Sequence, residues 1–207
     1  CILKKVKLRL KLQLQKVKNS MIKEQLKKIG TGVVTKLGLL ENQVKIVYLG
    51  IGSNLGDRSK NIELAKLKLI SHDIKILRSS SKYESLSWPD PTKPKFINII
   101  IEIKTYLSPI KLLNICNLIE ASLGRKRIKK NYPRTCDIDI IDYDQKNIKI
   151  KNSNILILPH KLMTKRNFVL LPLFEINKSW KHPKTRANIT KLINSLKIHD
   201  LRSIKQL

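Results

Sequence analysis

The sequence predicts an α+β protein with a ferredoxin-like (split βαβ) sheet and helices packed on it. From about residue 44 to residue 142 the predicted elements follow the order strand, helix, strand, strand, helix, strand. This is the order of the split βαβ motif. The predicted strands are short β-branched runs, and the predicted helices carry apolar residues at helical spacing. No internal repeat suggests a different architecture.

Each element follows from local signals. Three prolines exclude helix and central strand from the loop Glu84–Lys95. Ser108 is a good N-cap with Pro109 behind it at the first helical position. The predicted elements are strands Val44–Ile51, Ile74–Tyr83, Phe96–Lys104 and 137–142, helices Arg58–Ile70 and Pro109–Leu123, a small hairpin or two edge strands at Ile148–Lys151 and Ile155–Leu158, and helices over 164–174 and 188–196. We expect the last residues of the chain to be frayed.

The composition predicts one well-filled domain with a tail. The chain has 207 residues, of which 42% are hydrophobic, and no apolar run approaches the ~18 to 20 residues that a membrane span needs. Cys1, Cys116 and Cys136 are odd in number and never form a Cys-x-x-Cys pair. This pattern argues against a disulfide framework or a zinc site and fits a reducing compartment. We therefore expect a cytoplasmic monomer without a membrane partner.

The net charge of +28 has two interpretations. One is nucleic-acid binding, which basic proteins often show. The other is a general compositional bias, because the lysines are spread through predicted helices, strands and loops alike. We favour the second interpretation, since the few aromatic residues are not interleaved with basic ones as a base-stacking surface requires.

Residues 1–42 differ from the rest and predict a basic N-terminal extension ahead of a domain at 43–207. Apolar and basic residues alternate over residues 6–14, and no acidic residue precedes Glu24. An amphipathic strand, a basic targeting segment and an appended arm all fit this pattern. Because the chain begins at Cys1, Met21 is an alternative start.

The stretch Arg125–Asp142 carries the strongest chemical signal. A basic loop leads into an apolar strand, along which Asp137 and Asp139 point to one face while Ile138 and Ile140 point to the other. Two neighbouring carboxylates favour a divalent cation such as Mg²⁺, and arginines suit phosphate oxygens. The pattern therefore suggests phosphoryl-type transfer from a nucleotide. Alternatively, both acids line the solvent face of an edge strand and pair with lysines.

Three other features are ambiguous by themselves. The Gly-rich turn over residues 52–57 resembles a phosphate cradle only weakly, since it is neither a Walker A loop nor Gly-x-Gly-x-x-Gly. Asn98, a polar residue in an apolar strand, either pairs with backbone or reads the edge of a heteroaromatic ligand. His160 alone is more often a structural or surface histidine than a ligand-binding one.

Four separated blocks make the chain resemble the 6-hydroxymethyl-7,8-dihydropterin pyrophosphokinases of folate biosynthesis. The blocks are LGIGSNLGD at 49–57, FIN at 96–98, PRTCDIDII at 133–141, and PH at 159–160 followed by RNFVLLPL at 166–173. Their order and spacing fit the family from about Ile46 to Ile176. The Arg-x-x-Asp-x-Asp block is the most specific.

The resemblance implies an ATP-dependent diphosphotransferase that passes diphosphate from ATP to 6-hydroxymethyl-7,8-dihydropterin and releases AMP. It implies two Mg²⁺ ions held by Asp137 and Asp139. It assigns catalytic roles to Arg125, Arg134, Asp137 and Asp139, ATP binding to Arg125, Arg127, Arg134, His160 and Arg166, and pterin binding to Ser85, Trp88, Phe96, Asn98 and Phe168. Phe96 and Phe168 would sandwich the pterin ring, and Asn98 would read its edge.

Two positions depart from the family pattern. Tyr132 stands where the family prefers Gly or Ala, and Lys161 follows His160 where Pro or an aromatic residue is usual. A bulky side chain at 132 would restrict a loop that has to close over the nucleotide. The alternatives to the active enzyme are therefore an inactive remnant of it, and a nucleic-acid-binding module on the same ferredoxin-like fold.

Overall fold

The protein is described here from a computed structural model that covers residues 43–125, 132–151 and 155–207. The strands are β1 (Lys45–Ser53), β2 (Lys75–Ser79), β3 (Tyr83–Ser85), β4 (Phe96–Thr105), β5 (Asp137–Tyr143), β6 (Ile148–Lys151), β7 (Ile155–Leu158) and β8 (Ile204–Gln206). The helices are α1 (Arg58–Ser71), α2 (Pro109–Ser122), α3 (Asn167–Ile176), α4 (Ile189–Asn194) and α5 (Ile198–Arg202), with a 3-10 turn at Met163–Lys165. The predicted N-terminal extension and Arg127 lie outside these residues.

The main sheet is antiparallel and has the strand order β5-β1-β4-β3-β8, with β2 also paired to β4. The strands β6 and β7 form a separate hairpin. This mixed α/β sheet with packed helices confirms the predicted fold class. Within the described residues, no helix has the length and hydrophobicity needed to cross a membrane.

Strand alternation separates two hydrophobic cores. On β4, Ile97, Ile99, Ile101 and Ile103 face the core that includes the inner residues of α1 and α2. Ile100 belongs to the core on the opposite face, which includes residues of α3. Because successive side chains alternate across a strand, one face of β1, β4 and β5 is filled with isoleucine, valine and leucine. The other face is shared between the second core and positions such as Gly52, Asn98 and Asp137, which can line a site.

The helix caps follow the predicted chemistry. Asp57 accepts a hydrogen bond from the backbone N–H of Lys60 at the start of α1 (2.9 Å). Ser108 caps α2 through the N–H of Lys111 (3.4 Å), with Pro109 in the first turn. Such caps satisfy backbone donors that have no partner inside the helix. They fix where each helix leaves the turn that follows its strand.

Two predicted details are wrong. The single strand expected at Ile74–Tyr83 is divided into β2 and β3, and Ser80 lies between them with its hydroxyl accepting from the N–H of Ile100 (3.0 Å). The chain end is not frayed, because β8 pairs with β3 and the N–H of Leu207 donates to the carbonyl of Lys82 (2.9 Å). An edge strand offers unpaired backbone groups, and the C-terminal residues satisfy them.

Candidate active site

Two glycines of β1 form the floor of a cleft. Gly52 lies opposite Asn98 on β4 and Asp137 on β5, and Gly50 lies opposite Asp139. A Cβ atom built on Gly52 would lie 2.7 Å from Asn98 Oδ1, which is closer than real side chains approach. Glycine here allows a ligand to reach the backbone between Asn98 and Asp137.

The cleft above these glycines opens to solvent. Its walls come from β3, β4, β5, the start of α3 and the loop after β3. Nine residues that the sequence predicted as site residues line it together: Ser85, Trp88, Phe96, Asn98, Arg134, Asp137, Asp139, Arg166 and Phe168. Arg125 lies 2.5 Å from Asp137, and His160 lies 3.9 Å from Asp139. The predicted site residues therefore lie close together in the structure, apart from Arg127, which the structure does not describe.

Asp137 is held between two arginines. Its oxygens lie 2.5 Å from Arg125 Nη1 and 2.5 Å from Arg134 Nη2. Burial acts to raise the pKa of Asp137, but the two guanidinium groups outweigh burial and hold that pKa below its ordinary value. Asp137 is therefore ionised at neutral pH.

Asp139 has a different environment. Its Oδ2 lies 3.2 Å from Arg166 Nη1 and 3.9 Å from His160 Nε2. Burial, together with the negative charge of Asp137, raises the pKa of Asp139, although Arg166 and His160 both act to lower it. Burial also lowers the pKa of His160, so this imidazole is neutral at pH 7. Both acids face a cleft and pair with arginine, which does not fit the alternative of solvent-facing acids paired with lysines.

The donor set fits a hard divalent cation that shares its coordination with a ligand. Asp137 and Asp139 are on one face of β5, and their mutual repulsion is reflected in the raised pKa of Asp139. Among the described residues, no group of three or more His, Cys, Asp and Glu could hold a metal ion. Mg²⁺ commonly takes one or two carboxylates and completes its shell with water and substrate phosphates. The two aspartates are suited to that kind of site.

The arginines of the cleft lie against its aromatic rings. Arg134 Cζ is 5.1 Å from the centroid of Phe96, and Arg166 Cζ is 5.3 Å from that of Trp88 and 5.5 Å from that of Phe168. These are cation–π distances. The buried Nε atoms of both arginines have no hydrogen-bond partner among the described residues. Guanidinium donors without a partner would suit an anionic ligand if the side chains turned toward it.

Asn98 pairs with a side chain rather than with backbone. Its Nδ2 donates to Ser85 Oγ at 2.9 Å, and both residues are buried. This bond orients the amide so that Oδ1 lies over Gly52. The arrangement agrees with the interpretation that Asn98 presents a polar edge to the cleft.

Sequence reasoning missed Glu120 at the end of α2. Its Oε1 lies 2.5 Å from Arg125 Nη1 and accepts the backbone N–H of Ile138 at 2.7 Å. This buried carboxylate therefore positions both the arginine and the start of β5. An acid among the core-facing residues of an apolar helix, just before a basic loop, was the available signal.

Asn54 in the Gly-rich turn holds the loop of Arg134. Its Oδ1 accepts the backbone N–H of Arg134 (2.7 Å), its own N–H donates to the carbonyl of Arg134 (3.1 Å), and its Nδ2 donates to the carbonyl of Pro94 (3.1 Å). Asn54 is buried. The role of this turn in the structure is thus to join two loops at the cleft, and no phosphate cradle is needed to explain it.

The substitution Gly52→Ala tests the floor of the cleft. The new methyl group would meet Asn98 Oδ1 at 2.7 Å and Phe96 Cδ1 at 3.3 Å, both part of the cleft wall. We expect affinity for a ligand of the cleft to fall by about tenfold, since overpacking by one methyl costs about 1–3 kcal/mol. Calorimetric titration with the ligand measures this affinity. Wild-type affinity in Gly52→Ala would contradict the argument.

Comparison with known proteins identifies the family. The sequence profile of the 7,8-dihydro-6-hydroxymethylpterin-pyrophosphokinase (HPPK) family matches residues 48–178. The chain is 39% identical over 132 residues to the 2-amino-4-hydroxy-6-hydroxymethyldihydropteridine pyrophosphokinase of Bacillus subtilis, covering 63% of this chain and 77% of that protein. It is 38% identical over 137 residues to the enzyme of the same name from Aquifex aeolicus, covering 66% and 83%.

Longer relatives contain a similar region. The folic acid synthesis protein fol1 of Pneumocystis carinii is 37% identical over 166 residues, which is 79% of this chain but only 22% of that protein. A crystal structure of Plasmodium falciparum HPPK-DHPS matches with a TM-score of 0.60 at 17% identity, over 73% of this chain and 42% of that one. That likeness concerns the fold alone. From the profile match and the two bacterial relatives, the chain belongs to the 7,8-dihydro-6-hydroxymethylpterin-pyrophosphokinase family.

Proposed function

We propose that this protein transfers the terminal diphosphate unit of ATP to the hydroxymethyl oxygen of 6-hydroxymethyl-7,8-dihydropterin, with AMP as the second product. The observation that carries the proposal is the row Asn98, Gly52, Asp137 across three neighbouring strands. A group that recognises the edge of a heterocycle and a group that suits metal-bound phosphate therefore share one cleft. Family membership supports the same reaction.

The pterin occupies the part of the cleft near Asn98. The amide of Asn98 meets the polar edge of the ring, and Phe96 and Phe168 provide faces for stacking. Asn98 and Asp137 are two strand spacings apart, about 10 Å. A bicyclic ring whose edge is bound at Asn98 therefore places its hydroxymethyl arm toward the two acids.

ATP occupies the part of the cleft near the arginines. Arg125, Arg134 and Arg166 each pair with a carboxylate in the structure, and phosphate oxygens suit the same guanidinium groups. Arg134 and Arg166 also cover the rings of Phe96 and Phe168. Moving these guanidinium groups toward the phosphates would expose both ring faces for the pterin.

Asp137 and Asp139 would hold Mg²⁺, which supplies charge neutralisation on the phosphate oxygens at the point of transfer. The chain's own contribution is positioning: Asn98 and the rings orient the acceptor, and the arginines align the triphosphate. Positioning and electrostatic stabilisation dominate phosphoryl transfer, because the protein has little covalent chemistry to perform.

Release of AMP tests the proposal. Purified protein with ATP, Mg²⁺ and the pterin alcohol is expected to form AMP and the pterin diphosphate in equal amounts, and to form neither when Mg²⁺ or the pterin is left out. AMP release that ignores the pterin would indicate a hydrolase instead. A protein that binds the pterin without turnover would support the inactive remnant.

The substitution Tyr132→Ala tests whether the departure from the family pattern impairs the enzyme. The Tyr132 side chain is exposed, and its backbone carbonyl accepts a hydrogen bond from Arg134 Nη1 (3.2 Å). Surface changes of this kind usually alter free energies by about 0.5 kcal/mol or less. We expect turnover to stay within about threefold of the wild type. A rise of tenfold or more would show that the tyrosine restricts loop closure.

The alternative of a nucleic-acid-binding module is not favoured. Phe96, Phe168 and Trp88 all line the cleft, where they serve a small ligand rather than an open base-stacking surface. The basic N-terminal extension at 1–42, its boundary with the domain at 43–207, the monomeric state and the cytoplasmic location remain predictions.

A further inference from the structure

The C-terminal segment forms one edge of the main sheet beside the cleft. Strand β8 pairs with β3, with Ile204 opposite Ser85. Gln206 Nε2 donates to Ser81 Oγ at 2.9 Å, which fastens the same strand pair further along. Because Ser85 is the hydrogen-bond partner of Asn98, the C-terminal segment supports the wall of the cleft that would read the pterin edge.

The same segment also contacts the opposite wall through Asn167. The Asn167 side-chain Nδ2 donates to the backbone carbonyl of Asp200 and to Ser203 Oγ (3.2 Å). Its Oδ1 accepts the N–H of Phe168 at 2.7 Å. Asn167 is only 8% exposed. It stands in the chain between Arg166, just before α3, and Phe168 in its first turn, and both of these neighbours line the cleft.

The first turn of α3 has its backbone hydrogen bonds, from the N–H groups of Val169 (3.1 Å) and Leu170 (3.0 Å) to the carbonyl of Arg166, but it lacks two other supports. Among the described residues, no side chain caps the helix at Arg166. Pro172 lies inside the helix, so it has no N–H to donate to the carbonyl of Phe168, four residues earlier. A helix start that lacks a cap and one internal bond depends on contacts from elsewhere in the structure. Asn167 provides such contacts.

We propose that Asn167 is a positioning residue that sets the spacing between Phe168 and the Asn98 wall by tying the start of α3 to the C-terminal segment. One segment, residues 198–206, is bonded to both walls: to Ser85 through β8, and to Phe168 through Asn167. The distance between the walls is the thickness available to a stacked ring. The inference rests on the proposed function, because the ring in question is the pterin.

The two hydrogen bonds from Asn167 to Asp200 and Ser203 are called the tie below, and their loss should weaken pterin binding selectively. In Asn167→Ala we expect the KM for the pterin to rise on the order of tenfold, while the KM for ATP and the turnover at saturating pterin stay within about threefold. Asn167→Asp keeps the acceptor for the Phe168 N–H but cannot donate to the carbonyl of Asp200, so it should also raise the KM for the pterin. Wild-type pterin affinity in Asn167→Asp would overturn the proposal.

A matched control lies at the other end of the same helix. Asn177, just after α3, donates through Nδ2 to the hydroxyl of Tyr48 (2.8 Å), away from the cleft. Asn177→Ala therefore removes a comparable long-range bond and should leave the pterin KM unchanged. If both alanine variants raise that KM equally, Asn167 has only a general structural role and the proposal fails.

Ser203 supplies the partner for a double-mutant cycle. Ser203→Ala removes one acceptor of the tie without touching α3. If the tie acts as one unit, the double variant Asn167→Ala/Ser203→Ala should bind the pterin no more weakly than Asn167→Ala alone. Strictly additive losses would show that the two residues act separately and would contradict the proposed tie.

Hydrogen exchange gives a readout that does not need activity. In the ligand-free protein, the amides of residues 168–170 are expected to exchange faster in Asn167→Ala than in the wild type, and at the wild-type rate in Asn177→Ala. Unchanged exchange in Asn167→Ala would disprove the tie even in an active enzyme. If the wild type lacks turnover but Asn167→Ala still exchanges these amides faster than the wild type, only the proposed function is disproved.

Discussion

Replacing Asp139 by asparagine is expected to lower turnover by far more than about 100-fold. The asparagine keeps the shape of the side chain but removes the charge that would hold Mg²⁺, and metal charge stabilisation contributes several kcal/mol to such reactions. Asp139 lies in the cleft on the same face of β5 as Asp137. The measurement is the steady-state rate of AMP formation at saturating ATP, pterin and Mg²⁺.

Asp144→Asn is the control for this experiment. Asp144 follows the same strand, and its Oδ2 pairs with Lys146 (2.9 Å) and Lys45 (3.5 Å) outside the cleft. Asparagine tolerates the left-handed backbone found at that position (φ 55°). We expect the control to retain wild-type turnover. A wild-type turnover rate in Asp139→Asn would show that Asp139 is not needed to bind the metal.

The same substitution should not destabilise the ligand-free protein. Burial and the adjacent Asp137 raise the pKa of Asp139 above its ordinary value, so folding disfavours its charged form. For an acid whose folded pKa is raised, stability is lost as the pH rises through that pKa. Asparagine is neutral, so burying it removes no charge from water. At pH 7 we therefore expect a Tm equal to or above that of the wild type, which also excludes misfolding as the cause of lost activity.

Asn98→Ala is expected to weaken pterin binding by about 100-fold, because each buried polar group left unpaired costs about 1–3 kcal/mol. Asn98 is 7% exposed, and its amide is oriented by Ser85. Calorimetric titration with the pterin, in the presence of Mg²⁺ and a non-hydrolysable ATP analogue, measures the change. ATP-analogue binding alone should be unaffected, since the proposed phosphate ligands are the arginines and not Asn98.

A graded pair of variants separates recognition from strand damage. Ser85→Ala removes only the group that orients the Asn98 amide, so its effect should be about tenfold, smaller than that of Asn98→Ala. Thr105→Ala changes the far end of β4, where Thr105 Oγ1 accepts the N–H of Leu107 (3.1 Å). Pterin affinity should be normal in this variant. Equal losses from Asn98→Ala and Thr105→Ala would mean that Asn98 only stabilises the strand.

Short-range patterns were sufficient to predict much of the site. The alternation Asp137, Ile138, Asp139, Ile140 places the acids in the cleft and the isoleucines in the core. The motif blocks predicted which aromatic and basic residues share the cleft. Long-range partners were not predictable in this way: nothing local in the sequence pairs Glu120 with the N–H of Ile138, Asn54 with the Arg134 loop, or Asn167 with Ser203.

Strand periodicity and the motif blocks were enough to establish the fold class, the family resemblance and the face of β5 that carries the acids, because these depend on residues close together in the chain. Three-dimensional packing was needed to establish that arginines rather than lysines neutralise those acids, and that the last strand closes the sheet beside the cleft. Such contacts join residues many positions apart. They are selected by the shape and charge of the assembled core, which no local pattern contains.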